Sequence, residues 1–137
     1  MTAVSFPSAG APGGAPLTVI VDGNNVTRAL GITAPQAVEE FLLRLEMAAV
    51  TKDWEVTLFF DGPERHQPRE TGPLVVRYAK GKSADSMIER MVHEQEDRKR
   101  VVVVTHDRAE GNLVLGMGAF VWSPQRLVEE MRSSGIQ

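Results

Sequence analysis

The chain contains no cysteine, which excludes a disulfide framework, a thiolate metal site and a cysteine nucleophile. No apolar run approaches the roughly 18–20 residues that cross a bilayer. The first residues lack the basic segment and apolar core of a secretory signal, so a cytoplasmic protein with no membrane partner is expected. Positive charge is also in deficit: 15 lysines and arginines face 18 aspartates and glutamates, a formal charge of −3. This argues against nucleic-acid binding by bulk electrostatics, but leaves room for an acidic metal centre with a local basic rim. The three histidines, His66, His93 and His106, are not paired at ligand spacing, and each is read as a loop or surface residue. Internal repeats and interdomain linkers are absent.

What the chain does have is enough residues, 137, for one domain with a sizeable core. Residues 1–16 are rich in proline and glycine and are read as a disordered lead-in. Residues 17–137 form the folded unit. Strands are expected at Leu17–Val21, Val56–Phe60, Leu74–Tyr78, Val101–Thr105 and Ala119–Trp122. Val26 to Ile32 is read as a short helical turn. A helix is expected from about Pro35 to Thr51, with Thr33 as its cap and Val38, Phe41, Leu42, Leu45, Ala48 and Ala49 as its apolar face. A second helix starts near Ser83, buries Ala84, Met87, Ile88, Met91 and Val92, and ends in a solvated charge cluster over residues 94–100. Asp107 to about Gly116 and the stretch after Ser123-Pro124 complete the set, the last helix packing Leu127, Val128 and Met131 inward. The methionines and aromatic residues are read as core. Strands alternating with helices imply an α/β fold: a mainly parallel sheet of about five strands with helices on both faces.

Three of these strands end at aspartates: Asp22, Asp61 and, one residue further on after His106, Asp107. Open α/β sheets place their ligand crevice outside the carboxyl ends of the strands. Asp85, in the first turn of the second long helix, is a fourth acidic group for that edge, where the helix dipole favours it. Convergent carboxylates raise one another's pKa, and a hard divalent cation relieves the repulsion. Oxygen-only ligands suit Mg2+ or Mn2+ rather than Zn2+. The expected metal ligands are Asp22, Asp85 and Asp107, with Asp61 as a further catalytic carboxylate, and the expected chemistry is metal-dependent phosphodiester hydrolysis. Glu89 is read equally as solvated helix face and as support for the site. Asn25 is read as orienting an aspartate or a substrate phosphate. Arg28, Arg65, Lys80 and Lys82 supply a basic rim for a phosphate backbone, with His66, Arg69 and Arg108 also near the acidic positions. The polar loop over residues 62–73 is expected to be mobile.

In order, Leu17-Thr-Val-Ile-Val-Asp-Gly-Asn-Asn-Val, Leu58-Phe-Phe-Asp-Gly, Lys82-Ser-Ala-Asp-Ser with Ile88-Glu89, and Val103-Val-Thr-His-Asp resemble the motifs of the NYN domains, PIN-like ribonucleases, in their YacP-like branch. Gly116-Met-Gly-Ala-Phe with Ser123-Pro-Gln-Arg-Leu resembles the same branch, so the likeness spans about residues 17–131. It implies a PIN-like, Rossmann-like three-layer sandwich over 17–137 and a Mg2+ or Mn2+ centre. It also implies cleavage of RNA, in RNA turnover or in contact with ribosomes. The family's acidic positions fall on Asp22, Asp61, Asp85 and Asp107, and its polar position after the first strand on Asn25. Two departures stand out: Ser86 replaces a glutamate, and His106 replaces a small polar residue. Ser86 supports an alternative, a PIN-like RNA-binding or interaction module with weak or no cleavage. A receiver-type signalling domain lacks support, because Asp22 has no acidic neighbour and no lysine follows the last strand.

Overall fold

The computed structural model describes residues 16–64 and 68–133. The proposed lead-in therefore lies outside the described residues except for Pro16, and the tip of the 62–73 loop, with Arg65 and His66, lies outside them too.

Five strands, β1 (Leu17–Asp22), β2 (Trp54–Phe60), β3 (Leu74–Tyr78), β4 (Val101–Val104) and β5 (Phe120–Trp122), form one sheet in the order β3-β2-β1-β4-β5. Every pairing is parallel. The chain winds outward from β1 through β2 to β3, then returns to the other side of β1 with β4. That reversal between β1 and β4 is the topological switch at which open α/β sheets form their crevice.

Strand periodicity sorts the side chains into two layers. Leu17, Val19 and Val21 of β1 join Val56, Leu58, Phe60, Val102 and Val104 in one core. The helix α2 (Pro35–Lys52) covers that core, together with Leu127 and Met131 of α5 (Pro124–Arg132). Ile20, Phe59, Val101 and Val103 face the other way, against α3 (Ala84–Glu94) and Val114 of α4 (Arg108–Gly116). The α2 residues Val38, Phe41, Leu42, Leu45, Ala48 and Ala49 are all buried, as their spacing predicts. The same alternation continues past the strand ends. Asp22 follows Ile20, and Asp61 follows Phe59, onto the α3/α4 side.

Local structure departs from the sequence reading at several points. The cap of α2 is Ala34, which bonds nothing with its side chain, rather than Thr33; Pro35 at the first helical position starts the helix by fixing its own backbone. In α4 only Val114 of the apolar trio is buried, while Leu113 and Leu115 are 46% and 49% exposed, because a helix lying on a sheet buries one stripe. In α5, Leu127 and Met131 are buried and Val128 is half-buried. The 94–100 charge cluster is not merely solvated. Arg98 opens a 3₁₀ turn (Arg98–Arg100), and its guanidinium donates to the carbonyls of Val92, His93 and Met117, tying the end of α3 to the end of α4. On the far side of the sheet Arg69 pairs antiparallel with Val76 and reaches Glu46 of α2 at 3.0 Å, which anchors the returning arm of the 62–73 loop.

The tightest turn is the first. The helix α1 (Gly23–Ala29) begins at the residue after β1 ends. A Cβ on Gly23 would stand 2.7 Å from Leu58 Cδ2, Phe59 O and Phe60 Cδ1, so the β1–α1 junction approaches β2 only without a side chain there. Gly23→Ala is expected to lower the stability of the fold by about 1–3 kcal/mol through overpacking, read as a lower denaturant midpoint with an unchanged slope.

Candidate metal centre

The sheet's carboxyl edge is held together by two asparagines. The side-chain oxygen of Asn24 accepts the backbone N–H of Asp61, at the end of β2. That of Asn25 accepts the backbone N–H of His106 at 2.6 Å and the Thr105 hydroxyl at 3.4 Å, at the end of β4. The turn after β1 is thereby fixed to both neighbouring strands. Asn25, expected to orient an aspartate or a phosphate, orients the end of β4 with its side chain and contributes its backbone N–H to the Asp22 carboxylate.

Asp22 is only 5% exposed. Oxygen atoms of Asp22, Asp85 and Glu110 all lie within 4.8 Å of one another. Asp85 comes from the first turn of α3, where Ser83 caps the helix by accepting the N–H of Ser86. Asp61 holds that same helix end in place: its Oδ1 accepts the backbone N–H of Ala84 at 2.7 Å. Glu110 comes from the first turn of α4 and is only 4% exposed. Each carboxylate thus rides on a separate element, and the switch between β1 and β4 brings the three together.

Glu110 was not singled out from the sequence. Its position three residues after a capping aspartate matches a capping-box glutamate, whose role would be to bond back to the cap's N–H. Here that N–H, of Asp107, donates instead to the Thr105 hydroxyl at 3.0 Å. Both Glu110 carboxylate oxygens are buried, and neither makes a close hydrogen bond. The signal that could have found it is its spacing: residues 107 and 110 sit on neighbouring faces of one helical turn, and residue 110 is the one turned inward.

The electrostatics follow from this crowding. Burial pushes the Glu110 carboxyl up to about 9; Asp22, through its hydrogen bond and charge, and Asp85 push in the same direction, and the Thr105 hydroxyl opposes them. Burial raises Asp22 as well. A hydrogen bond from Glu110 opposes the rise, the Asp85 and Asp61 charges add to it, and the Asn25 N–H opposes it. The consistent picture is a protonated Glu110 lying beside the Asp22 carboxylate. Three carboxylates with ligand atoms this close together, two of them buried, fit a hard divalent cation that takes the proton's place.

The other expected site residues are placed as follows. Asp107 is exposed and caps α4, its Oδ1 accepting the Glu110 N–H at 3.1 Å. Among the described residues neither Asp107 nor Asp61 belongs to the group close enough to share one ion. Arg28 is exposed in the last turn of α1. Lys80 is exposed and paired with Glu64 at 2.9 Å, and Lys82 is exposed. Glu89 is half-buried on α3. Ser86 is exposed, and the third carboxylate of the group is supplied from α4.

Comparison with known proteins decides the family. The model for the YacP-like NYN domain matches residues 19–137. The chain belongs to the YacP-like NYN domain family. This is a PIN-like nuclease family, so a nucleic acid is the substrate class. Two crystal structures of Rae1 (YacP) from Bacillus subtilis share its fold. A variant with one tryptophan replaced by leucine aligns with a TM-score of 0.70 at 20% identity, over 86% of this chain and 76% of that one. The unsubstituted protein aligns with a TM-score of 0.65 at 20% identity, over 86% and 75%. No curated protein matches the chain. Among the described residues, no helix of this NYN domain is long and apolar enough to cross a membrane.

The raised Glu110 pKa makes a testable statement about stability. The folded state holds a proton on Glu110 up to about pH 9, whereas an unfolded glutamate releases it near pH 4.3. Between those values the folded state binds more protons, so stability falls as pH rises. In EDTA, the melting temperature is expected to fall from pH 5 to pH 9, and Glu110→Gln to flatten that fall. Saturating Mn2+ is expected to raise the melting temperature most at the alkaline end. Thermal melts across that range, with and without metal, check all three.

Proposed function

We propose that this NYN domain is a Mg2+- or Mn2+-dependent ribonuclease. It hydrolyses RNA phosphodiesters endonucleolytically, in cytoplasmic RNA turnover or ribosome-associated mRNA decay. The observation that carries this reading is the group Asp22, Asp85 and Glu110 at the switch between β1 and β4, with both oxygens of Glu110 buried and without a close hydrogen bond. No zinc-type nitrogen or sulfur donor is part of it, which favours the harder ions. Family membership supplies the substrate class.

In this reading Asp22, Asp85 and Glu110 hold the ion. A bound Mg2+ or Mn2+ supplies Lewis-acid activation of water and of a phosphoryl oxygen. Asp61 fixes the start of α3 and so the position of Asp85, and its charge adds to the field at Asp22. Asn25 and Thr105 fix the end of β4 beside the centre. Asp107 contributes a fourth carboxylate at the edge while it caps α4. Arg28, Lys80 and Lys82 are exposed and available to the phosphate backbone; Arg65, expected with them, lies outside the described residues. A second reading, an RNA-binding module without cleavage, rests on Ser86, where a carboxylate is replaced by a hydroxyl.

Purified protein given a mixed RNA pool is expected to cut with Mn2+ or Mg2+ and not with EDTA. Asp22→Asn is expected to lower cleavage by ~100-fold or more while the fold is kept, in line with the effect of disturbing a metal's ligand set. Asp107→Asn is a sharper test of that residue. Asparagine caps a helix as well as aspartate does, so lost cleavage with an unchanged melting temperature assigns Asp107 to the chemistry, and full activity restricts it to the cap. Retained RNA binding without cleavage under any metal would select the binding module.

A further inference from the structure

The geometry points to a nucleobase subsite beside the metal centre: a cavity of about 360 Å³ across the sheet edge that receives one unpaired base of the RNA strand. The inference rests on the ribonuclease reading for its substrate class and on separate residues for its site. The cavity lies at the carboxyl ends of β1, β2 and β3, on the α2 side of the sheet, whereas Asp22, Asp85 and Glu110 lie on the α3/α4 side. Asn24 and Asp61 stand between the two, each lining the cavity and each linked to the edge by the bonds described above.

The lining suits a flat ring with a polar rim. Ile32, Val38, Phe60 and Tyr78 form its apolar part. Tyr78, half-buried at the outer end of β3, packs its ring against the buried Phe60, ring centroids 5.5 Å apart and planes at 30°; its ring is the aromatic wall of the cavity. Phe60 lies in the core, as the sequence suggested, and Tyr78 packs against that core but stays half-buried because β3 is an edge strand. Arg28 and Asp61 are the charged residues of the lining; Arg28 is exposed, and Asp61 Oδ1 is committed to the Ala84 N–H. The hydroxyl of Thr27, also in the lining, is committed to the carbonyls of Gly23 and Asn24. An exposed cation is thus set beside an apolar slot. Proteins bind single-stranded RNA with this combination: a base stacked on an aromatic face, with its phosphate near a cation. A strand with its scissile phosphate at the acidic centre has a neighbouring nucleotide to seat across β1 and β2, where the cavity opens.

The test uses RNA oligonucleotides that carry one abasic ribose at successive positions around the cleavage site. With wild-type protein, removal of the base at one position is expected to raise KM about 10-fold, in line with the loss of one stacked base. Tyr78→Leu removes the stacking wall and Ile32→Phe fills the cavity. Each is expected to raise KM for intact RNA to a similar extent, to leave kcat within about twofold, and to erase the difference between intact and abasic RNA. Variants that still discriminate as the wild type does would overturn the subsite. A second measurement is independent of catalysis: nucleoside monophosphates titrated into metal-free protein, followed by amide chemical shifts. Shifts confined to Ile32, Gly62 and Tyr78 in the wild type, lost in Ile32→Phe, uphold the subsite even if no metal supports cleavage, in which case the ribonuclease reading alone fails. No shift at millimolar nucleotide overturns the subsite.

Discussion

Two carboxylates buried side by side, Asp22 and Glu110, are the constraint on which the rest of the site depends. Each is almost removed from water, and burial alone disfavours the charge of both. In the absence of a cation the pair is tolerated by protonation of Glu110, and Asp85 adds a third carboxylate at the open side. An interior assembled for stability alone places apolar side chains in such a position, since an unpaired buried charge is strongly unfavourable. The arrangement makes chemical sense as a ligand set, and the fold around it consists of devices that keep three independent elements in register.

Those devices begin with the turn after β1. A strand passes into a helix without an intervening loop, and Gly23 lets that junction lie against the backbone of β2. Asn24 and Asn25 then reach in opposite directions, one to the end of β2 and the other to the end of β4. Asp61 continues the chain of bonds to the start of α3, and Thr105 and Asp107 continue it to the start of α4. Two of the expected catalytic aspartates thus also position backbone: Asp61 and Asp107, outside the three-carboxylate group, hold the helices that carry two of its three carboxylates. At the far ends of α3 and α4, Arg98 ties the helices to each other. The bonds at one end and the guanidinium at the other fix the pair as a unit against the sheet.

Much of this was legible in the chain. The valine run of β4, the apolar run of β1 and the spacing of Val38, Phe41, Leu42, Leu45, Ala48 and Ala49 report strands buried on both faces and a helix with one buried stripe, because local periodicity answers directly to burial. Asp22 and Asp85 were legible as ligand candidates because an acid at the end of a buried strand, or in the first turn of a helix, occupies a position defined within its own element. Glu110 was not legible: in the sequence it is one more glutamate near a helix start, and its inward direction depends on how α4 rotates as Val114 packs on the sheet. The exposure of Leu113 and Leu115 has the same origin. Tyr78 was read as core for the complementary reason, since whether a strand lies inside a sheet or at its edge is not recorded in its own residues.

By itself, then, the sequence determined the elements, their order, the acidic residues that end them and the family to which they belong, all of which are set by contacts within a few residues or by patterns along the chain. The tertiary structure alone decided which carboxylates meet. Their meeting depends on the reversal of strand order between β1 and β4 and on the rotation of α3 and α4 about their axes. Both are settled by packing between segments distant in the chain, where a single rotation exchanges a buried side chain for an exposed one.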